Sequence, residues 1–256
     1  MNKFLIEALK LKYSDGAEAL DGIDLAVREK SITVIFGPAG GGKSTLLRVL
    51  NRLNDLADVV EMSGKVSMYN QDGSTVDILD PKTDVTSLRR RISMVFARPI
   101  VLPLSIRQNL TYGLKMAGER DQARLEQAVE RSLQQAALWE EVKERLDQPA
   151  VALSGGQQQR LCLARSLAME PEVILLDEPT SGLDPISTGK VEESLFELKK
   201  NYTIVLVPHS IQQAARTADQ AAFFLQGKLI EFSPDKSIFI TPKDKRSQDY
   251  IEGRFG

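Results

Sequence analysis

Apolar positions along this chain change period twice. Over residues 4–11 and 23–27 they partly alternate with polar ones, which predicts half-buried strands, with turns at Ser14-Asp15-Gly16 and Asp21-Gly22. Ile32–Phe36 is a short, β-branched apolar run suited to a parallel strand buried on both faces. A helix is predicted over about 43–53, then a hairpin of 64–69 and 76–79 turning at Asp72-Gly73, then a strand over 92–96. From Pro99 the period becomes helical for about sixty residues, with Leu125, Val129, Leu133, Ala136 and Val142 spaced along one apolar stripe. Trp139 joins that stripe as a core residue. Beyond it, residues 173–176 and Thr203–Val207 are again short apolar strands, each leading into a turn and a helix.

Strands alternating with helices imply an α/β fold, a mostly parallel sheet covered on both faces, with the helical stretch inserted into it. The 256 residues, 42% hydrophobic and 27% charged, suffice for a core that needs no disulfide staples. The single cysteine, Cys162, excludes an intrachain disulfide and fits a reducing compartment. A net charge of -2 excludes the basic footprint of a nucleic-acid-binding protein. The densest basic cluster, Arg89-Arg90-Arg91, reads as a solvated face. The N-terminus lacks the apolar core of a signal peptide, and no apolar run approaches the ~20 residues that span a bilayer. The chain is therefore expected to be soluble and to meet a membrane only through a partner.

Gly37-Pro38-Ala39-Gly40-Gly41-Gly42-Lys43-Ser44 sits between a predicted strand and a predicted helix and matches the G-x-x-x-x-G-K-[ST] phosphate loop. Glycines let the backbone wrap closely, so that successive N–H groups point at phosphate oxygens. The helix that follows adds the positive end of its dipole. In such a loop Lys43 reaches the β- and γ-phosphates and the Ser44 hydroxyl helps hold Mg²⁺, so the expected ligand is ATP.

The run 173–176 ends in Asp177-Glu178, which puts two carboxylates at the C-terminal edge of the sheet, where open α/β sheets bind ligands. Asp177 is the expected second Mg²⁺ partner, and Glu178 is placed to orient or deprotonate an attacking water. In Leu153-Ser154-Gly155-Gly156-Gln157, Ser154 and Gln157 have the spacing of a capping box, so a helix is predicted to start there and run through Leu167. A cap does not explain Gly155 and Gly156, which disfavour helix by ~1 kcal/mol each but leave backbone N–H groups open to an anion.

The phosphate loop, the Leu-Ser-Gly-Gly-Gln segment, the Asp-Glu strand and Ser181-Gly182-Leu183-Asp184 together resemble the ABC-type ATPases. That resemblance implies a P-loop NTPase core with an N-terminal antiparallel β subdomain and an inserted helical subdomain. The core would comprise 1–97 and 161–256, and the insertion 98–160. It also implies a head-to-tail homodimer, in which Ser154, Gly155, Gly156, Gln157 and Asp184 of one copy complete the site built on the other's phosphate loop. Thr45 would extend that loop, Tyr13 would stack on adenine, and His209, the sole histidine, would contact the γ-phosphate and help hold the water.

Further segments, Asn51 to Leu56, Gln212-Gln213-Ala214-Ala215-Arg216, Gly227 to Phe232 and Asp249 to Gly256, resemble the ATPases of bacterial phosphate importers. The implied partners are two transmembrane permease subunits and, indirectly, a solute-binding protein, at the cytoplasmic face of the cell membrane. Two positions depart from the family pattern. Ala97 stands where a glutamine is expected, and Pro208 precedes His209 where threonine is usual. Alanine has no side-chain donor or acceptor, so an ATP-binding regulatory module with impaired coupling is the alternative reading, as is import of another small solute.

Overall fold

The computed structural model describes residues 1–254, so Phe255 and Gly256 of the C-terminal segment lie outside the described residues. The chain opens with the antiparallel strands β1 (Asn2–Tyr13) and β2 (Glu18–Arg28), and β3 (Ile32–Phe36) then starts a second sheet. After α1 (Lys43–Leu50), strands β4 (Val59–Tyr69) and β5 (Thr75–Asp77) return to the first sheet, whose order is β2-β1-β4-β5. Next come α2 (Val85–Arg91) and β6 (Ile92–Val95), followed by the helical stretch α3 (Ile106–Met116), α4 (Gln122–Gln135), α5 (Trp139–Val142) and α6 (Gly155–Ala168). Strands and helices then alternate: β7 (Val173–Asp177), α7 (Pro185–Leu198), β8 (Thr203–Val207), α8 (Ile211–Thr217) and β9 (Gln220–Leu225). The hairpin strand β10 (Lys228–Ser233) and α9 (Lys245–Ile251) follow. The second sheet has the order β10-β9-β3-β8-β7-β6 and is parallel except for β10.

Successive side chains of a strand point to opposite faces, and here each face has its own core. Ile174, Leu176, Ile204, Leu206 and Phe223 pack with the helices α3, α4, α6 and α7. Their neighbours Val173, Leu175, Val205, Val207 and Phe224 pack with α1 and the antiparallel sheet. That two-sided burial is why these strands read as continuous apolar runs. Helix α1 is held in the second core by Leu46, Leu47, Val49 and Leu50, all with 0% exposure. Each such aliphatic side chain contributes roughly 1.5–3 kcal/mol of burial, which anchors the helix whose first turn carries Lys43 and Ser44.

Two of the predicted helical boundaries change. The helix predicted to 53 stops at Leu50, because Arg52 adopts φ +60 and turns its guanidinium back onto Asp55 and the Ile78 carbonyl. The apolar stripe is real but is shared between two helices, since Ala137 at φ +50 ends α4 and the chain re-enters at Trp139. Trp139 is half-buried against the helical core.

The arginine triplet is not a solvated face. Arg89 donates to the carbonyls of Asn51 (3.2 Å) and Arg52 (2.7 Å), and Arg91 donates to Glu172 (2.5 Å) and Asn70 (2.5 Å), leaving only Arg90 exposed. A guanidinium carries several donors, so Arg89 serves both carbonyls just past α1 at once. Glu172 lies below the usual carboxylate range although burial pushes it upward, because Arg91 and Lys3 both hold its charged form.

Helix α6 runs unbroken across residue 160, out of the helical stretch and into the contact with β6. Among the described residues no helix is long and apolar enough to cross a membrane.

Candidate functional site

The loop 37–42 joins the end of β3 to the start of α1 at the C-terminal edge of the parallel sheet. Its first residue admits no side chain. Gly37 has φ +143, and a Cβ there would lie 1.9 Å from the Phe224 carbonyl oxygen on β9. Lys43 bends back over the loop, its Nζ donating to the Gly37 carbonyl at 2.9 Å and the Pro38 carbonyl at 2.7 Å. Burial pushes the Lys43 ammonium below its ordinary pKa, while Glu178 and Asp177 pull it back up. A cation held by two neutral carbonyls and partly stripped of water is ready to exchange them for anionic oxygens. The cleft over Gly40 to Ser44 is walled on one side by Tyr13, whose hydroxyl shares a 3.4 Å hydrogen bond with the Thr45 hydroxyl.

The two carboxylates separate in role by geometry. The Ser44 hydroxyl donates to Asp177 Oδ1 at 2.9 Å, so a hydroxyl and a carboxylate oxygen meet beside the loop. Glu178 has φ +48, an uncommon region for a residue with a side chain, and is pinned there by its N–H donating to the Val207 carbonyl at 2.9 Å. Its Oε2 lies 3.9 Å from His209 Nδ1. The exposed His209 ring is carried on a backbone whose N–H donates to the buried Gln213 side chain. Pro208, directly after β8, is buried.

Ser154 and Gln157 form the expected reciprocal cap, each side chain bonding the other's backbone N–H at 3.3 and 3.0 Å. Gly155 faces open space, whereas a Cβ on Gly156 would lie 2.6 Å from the Ser187 hydroxyl of α7. Asp184 caps α7, accepting from the N–H groups of Ile186 and Ser187 and from the Ser187 hydroxyl, and this holds its carboxyl below the ordinary range. None of Ser154, Gly155, Gly156, Gln157 or Asp184 lines the cleft over the phosphate loop. Within one chain, then, the N-terminus of α6 does not share the cleft over the loop.

Glu141 was silent in the sequence, yet it ties the start of α6 in place. Its carboxylate accepts from Arg160, Lys190 and Gln157, on α6 and α7, at 2.6–3.0 Å. The Arg160 guanidinium is the largest of the causes that hold it down at about 2, against the cost of its burial. Ala97, shortly after β6, offers no polar side-chain atom, but the preceding Phe96 carbonyl accepts from Gln159 of α6 at 2.8 Å.

The model of the ABC transporter family matches residues 20–181, from β2 to just past the two carboxylates. The chain belongs to the ABC transporter family. It is 50% identical over 257 residues, all of both chains, to the phosphate import ATP-binding protein PstB 1 of Enterococcus faecalis. It is 52% identical over 244 residues, 95% of this chain and 89% of the other, to PstB of Mycoplasma capricolum. Among solved structures, the ATP-binding cassette MJ0796, a dimer in a post-hydrolysis state bound to ADP and Pi, superposes with a TM-score of 0.76 at 27% identity. That match covers 91% of this chain and 98% of MJ0796.

Like other ABC ATPases, the chain has the α/β core, mostly parallel sheet and antiparallel β subdomain of the family. The donor set at Ser44 and Asp177 fits Mg²⁺, a hard cation that takes one or two protein oxygens and fills its other positions with phosphate and water. Among the described residues no group of three or more His, Cys, Asp or Glu could cage a metal by itself.

Proposed function

We propose that this chain is the ATPase subunit of an importer that energises inorganic phosphate uptake. Whole-length identity of 50% to a protein named for phosphate import carries the choice of solute. The site geometry supports the reaction. Lys43, released from the Gly37 and Pro38 carbonyls, would meet the β- and γ-phosphates, and the loop N–H groups from Gly37 to Ser44 with Thr45 would wrap them. Tyr13 would stack on adenine beside the cleft it walls. Ser44 and Asp177 would hold Mg²⁺, which when bound neutralises charge on the phosphate oxygens. Glu178 would orient the attacking water and take its proton, and His209, 3.9 Å from Glu178, would steady the water and the γ-phosphate.

The absence of the α6 N-terminus from the cleft over the loop favours a head-to-tail homodimer. Ser154, Gly155, Gly156, Gln157 and Asp184 of one copy would close over the phosphates of the other, so that neither copy hydrolyses ATP alone. Two permease subunits and, through them, a solute-binding protein complete the assembly at the cytoplasmic face of the membrane.

Uptake of radiolabelled phosphate by phosphate-starved cells tests this reading. Cells carrying Lys43→Ala in place of the native chain should lose high-affinity uptake, and unchanged phosphate uptake with loss of another solute would reassign the cargo. Ala97 favours one further reading, an ATP-driven dimer that couples weakly to its permease. Ala97→Gln would then raise phosphate moved per ATP hydrolysed, and an unchanged ratio would dismiss it.

A further inference from the structure

The segment Gln212-Gln213-Ala214-Ala215-Arg216 has no chemistry of its own in the sequence, but in the fold Gln213 becomes a hub. It sits on α8 and is 2% exposed. Its Oε1 accepts from the His209 backbone N–H at 2.9 Å and from the Thr180 hydroxyl at 3.1 Å. Its Nε2 donates to Glu192 Oε1 of α7 at 3.2 Å, and Glu192 is in turn held by Arg216 at 2.8 Å. The orientation of the amide is therefore determined. A carboxylate can only accept from Nε2, which leaves Oε1 free to serve the two donors.

Those two donors belong to different loops. Thr180 lies two residues beyond Glu178, in the turn after β7, and His209 lies in the turn after β8. Pro208 has no N–H, so the His209 N–H is the first donor past β8, and it goes to Gln213. Glu178 at φ +48 also needs its surroundings to hold it. We propose that Gln213 is a positioning residue that clamps the two turns and so sets the Glu178–His209 spacing needed for hydrolysis, while nucleotide binding does not require it. This rests on the reading of Glu178 and His209 as the hydrolytic pair.

Steady-state ATP hydrolysis, ATP titration and thermal melts of the full chain test it with Gln213→Leu, Gln213→Glu, His209→Ala and the Gln213→Leu/His209→Ala pair. Gln213→Leu should keep ATP affinity within about threefold and lower kcat by ~10²-fold, the scale of a small misplacement of reacting groups. Combined with His209→Ala it should add little further loss, because both act on one arrangement. Gln213→Glu keeps the acceptor but sets a second carboxylate against Glu192, near Arg216, His209 and Glu178. The two acids can face each other only while sharing a proton, so its kcat relative to the native chain should be restored near about pH 6 and lost near about pH 8. A purely structural role would lower the melting temperature without that pH profile.

Turnover of Gln213→Leu within about twofold of native would overturn the proposal. So would a Gln213→Glu ratio independent of pH, which decides the matter alone if the leucine variant does not fold. His209→Ala separates the two levels. Native turnover there removes the hydrolytic pair and the proposal together, whereas slow His209→Ala beside fast Gln213→Leu removes the proposal only.

Discussion

The Ser44 hydroxyl donates to Asp177 Oδ1 at 2.9 Å, across 133 residues of sequence. The contact joins the first turn of α1 to the end of β7 and sets two oxygen donors beside the phosphate loop. Ser44→Ala and Asp177→Asn should therefore leave ATP affinity in EDTA unchanged and remove at least about tenfold, ~1.4 kcal/mol, of the gain that Mg²⁺ confers. Paired nucleotide titrations with and without the metal measure this, and an intact Mg²⁺ gain in both variants would place the metal elsewhere.

Glu178→Gln keeps the shape and the backbone anchor to the Val207 carbonyl but cannot accept a proton. ATP binding should persist while hydrolysis slows by ~10²-fold, the usual weight of a general base. Light scattering should show the ATP-bound variant as a long-lived dimer, since closure is no longer undone by hydrolysis. Turnover near the native rate would move the base to another residue.

Two glycines should respond oppositely to alanine. Gly37→Ala would force a Cβ to within 1.9 Å of the Phe224 carbonyl at φ +143, so β9 or the loop must shift. A loss of more than about 2 kcal/mol is expected, a fall of roughly 4–8 °C in melting temperature for a chain of this size. Gly155→Ala meets nothing within 4 Å and gains helix propensity, so its melt should hold or rise. A Gly37→Ala melt that stays at the native temperature would mean that the loop tolerates the side chain.

Glu141 makes stability depend on acid. Folding lowers its pKa from 4.5 to about 2, so its contribution is complete above pH 4.5 and disappears as the pH falls toward 2. The native chain should therefore be more stable than Glu141→Gln at neutral pH, and the two melting curves should converge between those limits. A constant difference across that range would show that Arg160, Lys190 and Gln157 gain nothing from the charge of Glu141.

Local chemistry is what the sequence determined alone. Eight consecutive residues, Gly37 to Ser44, between an apolar β-branched run and a helix already specify a phosphate-binding turn, because every group needed is adjacent in the chain. The Ser154–Gln157 cap and the Asp177-Glu178 strand end were legible for the same reason, since spacing within one element fixes which groups can meet. Tertiary structure decided what depends on residues far apart. Arg89 and Arg91 proved to be partners of the Asn51 and Arg52 carbonyls and of Glu172, because a charge run shows its sign but not which acceptors the fold brings to it. Gln213 and Glu141 carried no local signal, since an amide or carboxylate acquires meaning only from the partners that other elements bring within 3.2 Å. The fold also kept the α6 N-terminus out of the cleft over the phosphate loop, because the two belong to different elements.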